Sequence, residues 1–224
     1  MDFIKLIRSL EELLYEVMSW LVFYPRTLWA IVARPEATAD YAEAEQGDTA
    51  DEQYIDTLSP PLLLMLSVLL AHAIELGLGA KGIEAKSAAA KALFGSEQNL
   101  LMLRSLLFAL FPLVAAARLL RRKGVALDRK TLRAPFFGQC YLTAPLVLTL
   151  SVGLTLARIG SAAGRAGGLG LLAVGVAWYL RAQTGWQRRR LETSAGRAVL
   201  AALVSFLLAW VYFVAVAAAV VQFL

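Results

Sequence analysis

Three ionisable residues sit where ionisable residues are costly. His72 and Glu75 fall late in one long apolar run, and Arg104 falls early in the next. Two residues three positions apart share a helix face. A histidine and a carboxylate so placed could relay a proton or bind a polar solute, and such groups at membrane depth are often functional. Arginine has no usable neutral form for a relay. The favoured reading is therefore a Glu75–Arg104 ion pair that locks two helices, with His72 hydrogen-bonded beside it. At about 1.5 Å rise per residue, Glu75 and Arg104 both lie roughly 7–8 Å below the same end of an antiparallel helix pair.

A third run opens with Gln139, Cys140, Tyr141, Thr143 and Pro145. Proline inside a helix kinks it and frees a carbonyl, which Thr143 or a neighbouring helix would satisfy. A kinked polar helix start can line a cavity, although helix packing accounts for the same residues. His72, Glu75, Arg104, Tyr141 and Pro145 together form the candidate intramembrane polar site.

The elements that position these residues follow from composition. Of 224 residues, 59% are apolar, and the mean hydropathy is +0.62. This exceeds what a soluble domain carries. Five apolar runs, at 60–80, 99–120, 136–159, 167–184 and 197–223, are long enough to cross a hydrocarbon core of about 30 Å. Backbone polar groups must pair within each segment in lipid, so the runs are expected to be helices. The fold class is thus all-α, a polytopic bundle of five transmembrane helices over residues 59–224. The fourth run is the weakest, diluted by Gly167, Gly168, Gly170 and Gly175.

Two segments precede the bundle. Residues 1–35 read as amphipathic and interfacial: Lys5, Ser9, Glu12, Glu16 and Ser19 recur at steps of four and three, with apolar residues elsewhere around the helix. The charges exclude both a span and a secretory signal. Pro25 is expected to end or kink this helix, and a second short helix over about 26–34 stops before Pro35. Between Glu36 and Asp56 lie eight acids and no Lys or Arg. Residues 36–58 are therefore expected to form a solvated acidic linker with at most a turn of helix near Tyr41.

Smaller features carry packing expectations. Residues 81–97 resemble a short amphipathic helix ending at Gly95. Gly160, Gly164 and Gly168 read as a flexible turn into the fourth run rather than a close-packing motif. Ala201, Ser205 and Ala209 form a small-residue stripe that marks a helix contact.

The cations set the threading. Sixteen Lys and Arg fall in the N-terminal region and in the second and fourth connections; five fall on the other side, and Arg104 lies within a span. Basic residues stay cytoplasmic, which puts the N-terminus inside and, after five crossings, the C-terminus outside. Arg121, Arg122, Lys123, Arg188, Arg189 and Arg190 are the expected contacts to anionic lipid headgroups. The net charge of +5 therefore points to lipid, not nucleic acid. Another copy of the chain or a membrane protein complex are the other candidate partners. One cysteine and one histidine leave no disulfide and no multi-thiolate metal site. No phosphate loop, nucleophile elbow or dinucleotide fingerprint occurs. Neither an enzyme nor a cofactor is expected.

The order of features resembles the Ypt-interacting protein (Yip) domain superfamily, in its bacterial five-span branch. The resemblance is carried by Tyr24-Pro25-Arg26 through Ala33-Arg34-Pro35 before the first span and by Phe137, Tyr141 and Pro145 in the third. Trp178 to Gly185, with Ser194 and Arg197-Ala198, matches the last junction. It implies the same inside N-terminus and outside C-terminus, and a role in membrane organisation. The acidic motif of eukaryotic members has no counterpart here, so GTPase binding is not carried over. An Ala-, Leu- and Arg-rich composition suits a bacterial inner membrane. The sequence thus favours a non-enzymatic, membrane-organising or partner-binding scaffold. The alternative is a small permease built on His72, Glu75 and Arg104.

Overall fold

A computed structural model describes residues 3–49, 52–79, 96–159 and 161–223. Among these, the regular structure is helical: α1 (Phe3–Ala33), α2 (Pro35–Ala44), a 3-10 turn (Glu45–Gly47), α3 (Pro60–Gly77), α4 (Glu97–Arg122), α5 (Arg129–Arg158), α6 (Ala162–Leu191) and α7 (Ala195–Phe223). Helices α3 to α7 are the five that are long and apolar enough to cross a membrane. The chain has the make-up of an integral membrane protein with an all-α bundle. The helix expected over 81–97 falls almost wholly on residues 80–95, outside the described set, as does Gly160.

The helices outrun the apolar runs because polar signals set their ends. Helix α5 begins seven residues before the apolar stretch. Asp128 Oδ1 accepts from the Lys130 and Thr131 amides at 2.8 Å, and Thr131 Oγ1 accepts in return from the Asp128 amide. This reciprocal cap satisfies backbone donors that no helical turn can reach. Helix α4 closes on Gly124, whose φ of +66° suits a residue without Cβ. The Val125 amide then reaches back to the Leu120 carbonyl.

Helix α5 is central and packs on α2, α3, α4 and α6. Its Cys140, Tyr141, Leu142, Ala144, Leu146 and Val147 are fully buried. Against it, α6 packs antiparallel along a glycine seam. A Cβ on Gly168 would lie 2.5 Å from the Gly153 carbonyl oxygen and the Ala157 nitrogen, and one on Gly175 would lie 2.1 Å from Thr149 Oγ1. Absent side chains let the two backbones meet, which is how helices gain contact in lipid. The expected flexible turn is thereby corrected, for Gly164 and Gly168 are helical and Gly168 is a packing point. The diluted fourth run is part of a 30-residue helix. Helix α7 crosses α4 antiparallel through Phe108, Phe111, Phe206, Trp210 and Phe213. Its Ala201, Ser205 and Ala209 are buried, as the small-residue stripe predicts.

Two further expectations change. Helix α1 runs unbroken through Pro25 for 31 residues. Its second half lies on the bundle through Trp20, Phe23, Tyr24, Thr27 and Ile31, and these tertiary contacts outweigh the amide that proline removes. The acidic segment 36–58 is no solvated tether. Residues 35–44 form a helix whose Pro35, Thr38, Ala39 and Ala42 are buried. These small residues, spaced 0, 3, 4 and 7, make a face that hydropathy does not register. Tyr54 then folds back with φ +58°, stacks on Phe137 and donates its hydroxyl to the Ala42 carbonyl at 2.8 Å.

Candidate functional site

The late turns of α3 and the early turns of α4 bring His72, Glu75 and Arg104 together. Arg104 Nη1 donates to Glu75 Oε2 at 2.5 Å and lies 3.2 Å from His72 Nδ1, while His72 Nδ1 is 3.6 Å from the same carboxylate oxygen. His72 Nδ1 thus faces both a guanidinium donor and a carboxylate acceptor, and its role follows the tautomer. His72 Nε2 is buried and has no hydrogen-bond partner among the described residues. Glu75 and Arg104 side chains are 17% and 23% exposed, so each supplies most of what compensates the other's charge. Chemically the arrangement is an ion pair with a spare imidazole nitrogen behind it.

Tyr141 and Pro145 do not join this cluster. Tyr141 donates to the Leu58 carbonyl at 2.5 Å and sits 3.1 Å from Thr57 Oγ1, so it anchors the segment entering α3. Pro145 is buried within a continuous α5. Thr143, expected to serve the carbonyl that proline frees, bonds instead to the Gln139 carbonyl at 2.8 Å. The five-residue candidate site is therefore a three-residue cluster plus two packing residues.

The most charged arrangement lies at the end of the bundle where α2, the α4–α5 turn and the α6–α7 turn meet. Arg189 bonds Glu36 at 3.1 Å and Asp40 at 2.9 Å; Arg190 bonds Asp40 and Glu43, both at 2.9 Å. Trp186 Nε1 donates to Glu43 Oε1 at 3.0 Å. Gly185 makes the approach possible, because a Cβ there would lie 1.8 Å from Glu36 Oε1. Burial pushes the Glu43 carboxyl above its ordinary range, against the pull of Arg190 and the Trp186 hydrogen bond. We call this arrangement the clasp. Three acids with helical spacing and three consecutive arginines were both visible in the sequence. Their pairing was not, since nothing local links residues about 150 positions apart.

Of the expected lipid contacts, Arg189 and Arg190 pair with acids of α2, Arg189 staying 49% exposed, and Arg121, Arg122, Lys123 and Arg188 are exposed. Inside the bundle a polar thread runs beside the clasp: Gln183 donates to Gln139, Gln187 and Arg118 both reach Ser205, and Ser205 bonds the Ala201 carbonyl. Sequence reading noted Gln139 and Ser205 but not Gln183, Gln187 or Trp186, which are nearly fully buried. Among the described residues no group of three or more His, Cys, Asp and Glu side chains is placed to hold a metal ion. The chain matches no protein-family model, no curated protein and no solved structure.

Proposed function

We propose that this chain is a non-enzymatic scaffold of the bacterial inner membrane, Yip-like in its order of features, that organises lipid or a partner complex. The observation that carries this reading is the clasp. It spends two helices' worth of charge on a fixed platform beside α1, with Arg121, Arg122, Lys123 and Arg188 left outward for anionic headgroups. The Glu75–Arg104 pair supports it too, because the charges satisfy each other rather than a passing solute. In this reading the N-terminus is cytoplasmic and the C-terminus outward. A fluorescent protein fused after Leu224 should then stay dark, while a periplasm-active reporter there should work.

One observation favours a permease as the second reading: His72 Nε2 is a buried ring nitrogen with no hydrogen-bond partner among the described residues. Proteoliposomes decide between the two. The scaffold reading expects proton and solute flux no higher than in protein-free vesicles, for the native chain and for His72→Ala alike. Flux that the native chain supports and His72→Ala abolishes would replace it.

A further inference from the structure

Helices α3 and α4 do not close against each other along their whole length. Between them, floored by Phe136 and Cys140 of α5, runs a groove of about 560 Å³ lined by Leu62, Met65, Leu69, Met102 and Ala109, among others. The volume is that of a small-molecule site, and the lining is almost wholly apolar. Met65, Leu69, Met102 and Leu106 on its walls are about half to two-thirds exposed. The walls are membrane spans, so the medium facing them is hydrocarbon and water is excluded as the filler.

At the α1 end the groove shares Trp20 and Leu62 with a second recess that is more polar than apolar. Glu16, Ser19, Gln53, Thr57 and Ser59 supply that polarity. The recess lining contains one carboxylate and no Lys or Arg. Trp20 stands at the junction and donates its indole N–H to Glu16 at 3.3 Å. At the margin, the Arg133 guanidinium lies 5.5 Å over the Phe137 ring, and Phe137 also lines the recess. An apolar slot in hydrocarbon, adjoining at Trp20 and Leu62 a polar recess that bears a carboxylate and is flanked by a cation, has the polarity sequence of a phospholipid.

We propose that the α3–α4 groove binds one acyl chain of a membrane phospholipid whose amine-bearing headgroup occupies the recess beneath α1. The ammonium faces Glu16 and the neutral oxygens beside it, and Arg133 suits the phosphate. A purely anionic headgroup fits less well, because the recess itself holds no cation. The inference does not rest on the scaffold reading, since a permease with this fold would keep the same groove.

The test uses the full chain in phosphatidylcholine vesicles. These are doped with phosphatidylethanolamine carrying a diazirine on one acyl chain or, in parallel, with phosphatidylglycerol carrying the same diazirine. After illumination, adducts are mapped by mass spectrometry. Met65, Leu69, Met102 and Leu106 should be labelled at least about tenfold above Val211 and Val214, which are similarly exposed on α7. Tenfold is the ratio given by about 1.4 kcal/mol of preference. Ala109→Trp should abolish the excess. Should that variant fail to fold, Leu69→Trp fills the slot from its exposed wall. Glu16→Gln should erase the preference for the ethanolamine lipid over the glycerol lipid. Even labelling of α3, α4 and α7, or an excess that survives filling, overturns the site. Disulfide-linked dimers of Met102→Cys formed on oxidation overturn it in favour of a second copy of the chain. Equal labelling by the two lipids overturns the headgroup assignment.

Discussion

Replacing both members of the Glu75–Arg104 pair should harm the protein less than replacing either one. The perturbations are Glu75→Leu, Arg104→Met and the double variant, each swapping a charge for an apolar side chain of similar length. Two unit charges about 4 Å apart attract by about 4 kcal/mol at an effective dielectric of 20. Desolvation offsets much of this, and polar pairs between membrane helices contribute on average only about 0.6 kcal/mol, at most about 1.7. Here the contact is short, at 2.5 Å, and both side chains are mostly enclosed. The intact pair is therefore worth only about 1–2 kcal/mol net, and that is what the double variant should forfeit. Each single variant strands its partner beside His72 and should lose about 2–4 kcal/mol, below the roughly 3–5 kcal/mol of a sealed pair. At about 2–4 °C per kcal/mol for a chain of this size, either single change should lower the unfolding midpoint in micelles by roughly 4–16 °C. The double variant should recover several degrees, because Leu and Met are at home in hydrocarbon. If the single losses simply add, to within about 0.5 kcal/mol, the pair is incidental and the lock between α3 and α4 lies elsewhere.

Other expectations test other parts of the fold. Gly175→Val should cost about 1–3 kcal/mol or more in micelle unfolding, because its side chain collides with Thr149. Gly170→Ala, with nothing within 4 Å, should gain up to about 1 kcal/mol from helix propensity; equal effects at the two positions would reject the seam. Glu43 is a carboxyl whose folded pKa is raised chiefly by burial. The folded state thus holds its proton longer than the unfolded chain, and stability should fall as pH rises through the interval upward from the ordinary 4.5. Glu43→Gln should flatten that decline in a thermal scan against pH, and an unchanged slope would assign it to other groups. Asp128 is the opposite case. Its carboxylate, held low chiefly by the Thr131 amide, stabilises above the ordinary 3.8 and loses that effect as pH falls. Asp128→Ala should speed hydrogen exchange at residues 130–134 without changing exchange beyond Gln139.

The parts of this structure that were legible in advance are those governed by local rules. Apolar length marked five spans, and helical depth put Glu75 opposite Arg104 before any contact was known. The spacing of Ala201, Ser205 and Ala209 marked a buried stripe. What escaped reading has two physical causes. Helix α2 packs through Pro35, Thr38, Ala39 and Ala42, whose apolar area is too small to offset eight neighbouring acids in any hydropathy average, so a docked helix looked like a tether. The glycines of α6 dilute hydropathy in the same way, yet their lack of bulk is what lets Gly168 and Gly175 meet α5. The clasp needed both facts at once. Glycine at 185 leaves the space the Glu36 carboxylate occupies, and the helix over 35–44 aligns three carboxylates with Arg189 and Arg190.

That engagement of arginines changes character over the life of the polypeptide. During insertion, the orientation of a nascent segment is governed by its unshielded cations, and nearby carboxylates count for little. Once Arg189 and Arg190 have docked on α2, its carboxylates pair with them. The same two guanidinium groups that count as free cations in the sequence are bonded to carboxylates in the fold. Such pairing leaves the mature surface less attractive to acidic lipid than a tally of its arginines implies.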